Sequence, residues 1–203
     1  RVYATKVFNN QGRWEVGERS LEDLVRPALL GGAAISSNSW GSPPSRGEYN
    51  TMSQVFDRLT RDADSVAAGF QPMLFVFAAG NDGPYDTTIQ APATGKNVIA
   101  VGASENCDAG VLDRSGIEGT LSDDLRDVAR FSSRGPMADG RMAPTLVAPG
   151  THVTGAASDD PNYDGEGVSG RHSSSLEPGE SLDAVRYYPA HQTDYTWSSG
   201  TSH

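Results

Sequence analysis

Residues Phe75-Val76-Phe77-Ala78-Ala79 form an unbroken apolar run with no polar alternation. Alternation marks a strand with one wet face, whereas a continuous run bounded by turn residues marks a strand covered on both. This run ends in Gly80-Asn81-Asp82-Gly83-Pro84. A buried strand therefore delivers one side-chain amide into open space just past its carboxyl end. The plainer reading is that Asn-Asp-Gly-Pro is a good turn and nothing more.

A strand of this kind needs helices over it, and the chain supplies them in alternation. Val2–Phe8 is β-branched or aromatic and reads as a strand. Ser20 is a plausible N-cap with Glu22 and Asp23 in the first helical turn. Leu21, Leu24, Val25, Ala28 and Leu29 follow at helical spacing, and Gly31-Gly32 stops them. Pro27 lies inside this helix and should kink or split it. Ala33–Trp40 reads as a second strand. Thr51 then caps a helix whose apolar face is Met52, Val55, Phe56, Leu59, Ala63, Val66 and Ala67, with Gly69 as its end. Met73–Ala79, Val98–Ala103 and Leu146–Ala148 complete the strands. Strands alternating with helices imply parallel pairing in a doubly wound α/β sheet, which binds ligands beyond the carboxyl ends of its strands. Ser39-Trp40-Gly41 and Gly80-Asn81 both fall at such ends.

Two stretches break the alternation. Residues 105–130 carry Asp113, Glu118, Asp123, Asp124 and Asp127, and residues 155–195 are rich in Ser, Gly, Asp and Tyr. Both read as polar surface insertions in one 203-residue domain. The acidic cluster is a candidate for a structural calcium, against the plainer reading of a solvated loop, because its carboxylates follow no dedicated loop spacing. The net charge of −10 argues against nucleic acid as a partner, since phosphate binding needs a basic face. No run approaches the roughly 18 apolar residues of a membrane span. Cys107 is alone and can form no internal disulfide.

The last stretch, Trp197-Ser198-Ser199-Gly200-Thr201-Ser202-His203, has the form of a nucleophilic serine at a strand-to-helix turn. Glycine admits close backbone approach. A serine at a helix start exposes its Oγ, and its N–H is one of the helix's unpaired donors. Such a donor and the Asn81 amide together would make an oxyanion hole. By itself, a Ser/Thr/Gly run is also an ordinary turn.

The order of motifs resembles the subtilisin-like serine proteases. The matching pieces are Asn38-Ser39-Trp40-Gly41, Ala78-Ala79-Gly80-Asn81, residues 91–103 beginning Ala91-Pro92, Phe131-Ser132-Ser133-Arg134-Gly135-Pro136, Ala148-Pro149-Gly150-Thr151 and Gly200-Thr201-Ser202. The Phe-Ser-Ser-Arg-Gly-Pro form is like that of the larger, multidomain secreted members, so the resemblance implies an extracellular endopeptidase acting on polypeptides. It implies Ser202 as nucleophile with its own N–H as one oxyanion donor, and Asn81 as the other. It implies that Ser39, Trp40 and Gly41 pair with substrate backbone as an added strand. Ala78, Ala79 and Gly80, with Thr201, would line the pocket for the residue before the scissile bond, and small walls there leave room for a large apolar side chain. A cis bond at Ala91–Pro92 is expected beside that pocket. The chemistry requires no cofactor.

The resemblance also says what is missing. The family's order is Asp, His, then Ser, and its Asp and His motifs precede a strand like Val2–Phe8. The strand bearing the Asp lies between those matching Val2–Phe8 and Ala33–Trp40, so a gap is expected there. The rest of the catalytic domain, with its Asp and His, is then a partner of these 203 residues, which alone should be inactive. His152, His172, His191 and His203 are poor substitutes, since none is followed by Gly-Thr. His203 stands where methionine is commoner. Two other readings stay open. One is an inactive relative that binds peptides or serves a structural role. The other is an acid-acting serine-carboxyl peptidase, which uses an aspartate as oxyanion partner where this chain has Asn81.

Overall fold

The computed structural model describes residues 2–9, 13–42, 46–106, 122–157 and 194–203. Cys107, Asp113, Glu118, His172, His191 and nearly all of the 155–195 insertion lie outside them. Helix α1 is Leu21–Leu30. Its start is a reciprocal capping box: the Asp23 N–H donates to Ser20 Oγ (3.1 Å) and the Ser20 N–H to the Asp23 carboxylate (2.9 Å). Its end is a Schellman motif, with Ala33 N–H on Ala28 O and Gly32 N–H on Leu29 O, and Gly32 at φ +90°. Pro27 does not split it. Proline forfeits one bond, to the Asp23 carbonyl, and the capped first turn on one side and the Schellman turn on the other hold the helix together.

Helix α2, Thr51–Arg61, is capped by Asn50 rather than Thr51, with Asn50 Oδ1 accepting the Ser53 N–H. It is shorter than its apolar spacing suggests. Asp62 turns extended, and the Asp62 and Asp64 carboxylates accept the N–H groups of Asp64 and Val66. Acidic side chains that bond nearby backbone compete with the helix ladder. Val66, assigned to the core face by spacing, is accordingly 74% exposed.

Strands β1 (Ile35–Asn38), β2 (Leu74–Ala78), β3 (Ile99–Ser104) and β4 (Leu146–Pro149) form one sheet in the order β1-β2-β3-β4, every pair parallel. The fold is the doubly wound α/β type. Strands β5 (Val153–Ala156) and β6 (Tyr195–Ser198) pair antiparallel at the two flanks of the long insertion. Phe75 and Phe77 of β2 are fully buried, and the Phe56 ring of α2 meets both edge-on at 5.1 and 4.8 Å. The opposite side of β2 is only half-covered, with Leu74 at 36% exposure, so the apolar run overstates burial on that face. The peptide bond at Ala91–Pro92 is cis.

Val2–Phe8 is not a strand of the sheet. Among the described residues it makes one bridge, Phe8 to Trp14, flanked by Asn9 N–H on Arg13 O and Glu15 N–H on Val7 O. A cleft of about 740 Å³ separates Val2–Phe8 from Ile35–Trp40, as the family order led us to expect. No ladder crosses that cleft, so the segment runs extended beside the sheet without joining it.

Candidate active site

The sheet brings the site together. β1 and β2 run parallel with Asn38 opposite Phe77, so both chains leave the sheet at the same rim. Ser39–Gly41 and Ala79–Asn81 therefore emerge side by side. The Asn38 amide ties this end shut by donating to Val76 O (3.2 Å) and Ser36 O (3.1 Å).

β6 brings the terminal stretch to that rim. Beyond Ser198 the chain turns, and the residues of the turn are held by three segments, around Gly150, Gly80 and Ser39. Ser199 Oγ accepts the His152 N–H at 2.9 Å, and Gly200 N–H donates to Gly150 O at 2.8 Å. The 150–200 approach demands glycine: a Cβ on Gly150 would stand 2.6 Å from Ala103 Cβ and 2.8 Å from Gly200 O. Thr201 is buried and joins β2's end at three points. Its N–H and its hydroxyl both donate to Asn81 Oδ1, at 3.0 and 3.1 Å. Its Oγ1 accepts the Gly80 N–H at 3.1 Å. Ser202 is exposed, and its carbonyl accepts Ser39 Oγ–H at 2.7 Å.

These contacts orient Asn81. A backbone N–H can only donate, so the amide atom facing Thr201 must be the oxygen. The Asn81 Nδ2 group is thereby turned away from Thr201, with no acceptor among the described residues. Asn81 itself is exposed. A fixed amide donor thus stands beside the serine turn with its hydrogens free for an incoming oxygen.

Other sequence-derived candidates are distributed as follows. Trp40 turns its ring inward, onto Trp14 (5.1 Å), Phe77 (5.6 Å) and Phe56 (5.9 Å), and is only half-buried there. His203 Nε2 lies 2.6 Å from Ser198 Oγ, and burial holds its pKa below the ordinary imidazole value. His152 is buried at φ +54° between β4 and β5. Among the described residues no histidine ring bonds Ser202. No group of three His, Cys, Asp or Glu side chains converges as a metal site among those residues. In the acidic stretch, Asp124 is held by Arg126 at 2.7 Å, and Glu105 accepts the N–H groups of Asp123 and Asp124.

The space between Gly41 and Gly80 departs from the expected open, small-walled pocket. Gln90 lies in it. A Cβ on Gly41 would be 2.5 Å from Gln90 Oε1, and one on Gly80 would be 2.7 Å from Gln90 Cγ and 2.8 Å from Ser133 Oγ. Gln90 N–H donates to Ala79 O, and Ser42 N–H to Ala91 O, so 90–91 closes a third side of the slot. Reading the sequence missed Gln90, Asp82 and Ser133 in this place. The available signal was that Gln90 directly precedes the Ala91-Pro92 motif.

The model of the Subtilase family matches residues 1–203. The chain belongs to the Subtilase family. Among curated relatives, pyrolysin of Pyrococcus furiosus is 29% identical over 162 residues, and serine protease AprX of Bacillus subtilis 40% identical over 76. Those alignments cover 74% and 37% of this subtilase chain but only 11% and 15% of the relatives, so the chain spans a small part of their length. In solved structures, the prenylagaramide maturation protease PagA matches with a TM-score of 0.51 at 21% identity, and Sphericase with 0.50 at 22%. Each match covers 97% of this chain and 47% of the other. At such identities the likeness is one of fold.

Proposed function

We propose that this subtilase chain carries the nucleophile and oxyanion part of a serine endopeptidase site. Ser202 Oγ attacks the carbonyl carbon of a peptide bond to form an acyl-enzyme. The oxygen that becomes negative is received by Asn81 Nδ2 and the Ser202 N–H. The base that takes the Oγ proton, a histidine oriented by an aspartate, comes from outside these 203 residues. Substrate backbone lies along Ser39–Gly41 as an added strand.

The observation that carries this reading is the pair of hydrogen bonds that Thr201 donates, from its N–H and its hydroxyl, to Asn81 Oδ1. It joins segments 120 residues apart and leaves the amide's donor side free beside Ser202. The cleft between Val2–Phe8 and β1 supports the view that further chain completes the site. An inactive, peptide-binding relative is the second reading, and it differs from the first in whether a base reaches Ser202 from outside these residues.

The test is hydrolysis of a chromogenic peptide by the whole protein that carries these residues, compared with Ser202→Ala. We expect cleavage in the first and none in the second, with only a trace from the 203 residues alone. Cleavage that survives Ser202→Ala, or robust cleavage by the 203 residues alone, refutes the proposal. Loss of catalysis with retained peptide binding in the unmutated protein selects the inactive reading.

A further inference from the structure

We infer that Gln90 and Asp82 make this site selective for a basic side chain, lysine or arginine, in the residue before the scissile bond. The inference rests on the reading of Ser202 and Asn81 just given, and extends it from chemistry to substrate.

The slot beside Asn81 has three sides. Ser39–Gly41 and Ala78–Gly80 are two, and the 90–91 segment, bonded to both through Ser42 and Ala79, is the third. The glycines at 41 and 80 give the slot its width, because a Cβ on either would strike Gln90. Any side chain that enters between those walls therefore meets the Gln90 carboxamide. This carboxamide does not float. Its Nε2 donates to Asp82 Oδ2 at 2.6 Å, while Asp82 is itself fixed by its N–H on Ser133 Oγ at 3.1 Å. With Nε2 committed to the carboxylate, the atom of Gln90 turned to the Gly41 wall is the acceptor Oε1.

The slot thus offers an incoming group one carbonyl oxygen and one carboxylate. Among the described residues no basic side chain pairs with Asp82. Arg134, on the segment next to Ser133, directs its guanidinium to Val128 O instead. A leucine or phenylalanine side chain entering here would strip water from the amide and the carboxylate and return no hydrogen bond, which is costly. A glutamate would add like-charge repulsion. An ammonium or guanidinium replaces the lost water with charge-assisted bonds to both acceptors. This selectivity reverses the apolar preference that the small walls alone would give.

The test uses the whole protein and peptides that differ only in the residue before the cleaved bond: Arg, Lys, Leu, Phe or Glu. We expect kcat/KM for Arg and Lys to exceed that for Leu and Phe by about tenfold or more, the lower end of what a mismatched pocket costs, with Glu lowest. Asp82→Asn should remove most of the Arg and Lys advantage, lowering kcat/KM for Arg and Lys while Leu falls little or rises, since a neutral amide costs less to desolvate than a carboxylate. Gln90→Leu, of similar length, should raise Leu and Phe. A wild-type preference for Leu or Phe overturns the inference, as does an Asp82→Asn effect equal on every peptide. If none of the peptides is hydrolysed, the proteolytic reading fails by itself. Calorimetric binding of the same peptides then decides the inference separately: Arg and Lys binding more tightly than Leu and Phe upholds it, and the reverse order overturns it.

Discussion

Replacing Thr201 by valine keeps the shape of a 5%-exposed side chain and removes one oxygen. That oxygen makes two bonds, donating to Asn81 Oδ1 at 3.1 Å and accepting the Gly80 N–H at 3.1 Å. The two losses have different consequences. Gly80 is buried, so its orphaned N–H destabilises the fold by about 1–3 kcal/mol. The lost donor halves the restraint on Asn81. A neutral hydrogen bond contributes about 0.5–1.5 kcal/mol net, which, if it acts wholly on the oxyanion donor, lowers kcat about 2- to 13-fold with KM little changed. The upper scale is set by removing the donor outright, which costs about 10²–10³ in kcat in a subtilisin. The assay is a double-mutant cycle on the whole protein with kcat and urea-unfolding readouts. In an Asn81→Ala background, Thr201→Val should no longer lower kcat but should still lower stability. Thr201→Ser, which retains the oxygen, should behave as wild type in both. An equal kcat loss in both backgrounds, or a stability loss with kcat untouched, would refute the idea that Thr201 works through Asn81.

Three further outcomes are expected. Asp57 is buried, and its carboxylate accepts the Lys96 and Asn97 N–H groups at 2.7 Å and Tyr49 Oη–H at 2.8 Å, locking α2 to the start of β3. Asp57→Ala should cost about 2–4 kcal/mol in urea unfolding, since bonds to a charged acceptor are lost while water recovers part at the exposed Lys96 and Asn97. Gly150→Ala should lower kcat more than stability alone explains, because the new methyl meets Gly200 O and moves the Ser202 turn; an unchanged kcat would show that the turn relaxes freely. The Ser20 hydroxyl, then the Ser20 N–H, holds the Asp23 carboxyl below its ordinary 3.8. The cap's contribution is therefore full above that value and lost as pH falls through the depressed one. A carboxylate NMR titration should give Asp23 a midpoint below 3.8 that rises in Ser20→Ala.

The parallel sheet and the strand ends that form the site were legible because long-range order leaves a local trace there. Phe75 and Phe77 sit in an apolar run that only a covered strand tolerates, and Gly80-Asn81 breaks it abruptly. The errors share one cause, which is that local pattern does not report tertiary pairing. Val2–Phe8 has strand composition, but a strand exists only where a neighbour completes its ladder. Val66 continues the helical spacing of α2, but the Asp62 and Asp64 carboxylates end the helix first. Gln90 carries no periodic or motif signal of its own. Its place between Gly41 and Gly80 follows from Ser42 pairing with Ala91, a contact between residues 49 positions apart that no window of sequence contains.

The same topology explains why Ser202 is held where it is. In a parallel sheet every strand exits at one rim, so β1, β2 and β4 present Ser39, Gly80 and Gly150 along a single edge. The 199–202 turn crosses that edge and is fastened to each: Gly200 to Gly150, Thr201 to Gly80 and Asn81, and the Ser202 carbonyl to Ser39. Three anchors on three strands fix a short segment in both position and rotation, with little left to the turn's own propensity. Small residues at 150, 199, 200 and 201 are then a packing requirement of crossing the rim closely, since even one methyl at 150 collides with the Gly200 carbonyl. It follows that the distance from Ser202 to the Asn81 amide is governed by the relative placement of β1, β2 and β4. Core changes beneath β2, at Phe75 or Phe77, should therefore reach Ser202 through the Gly80–Thr201 bond, whereas changes on exposed loops away from the rim should not.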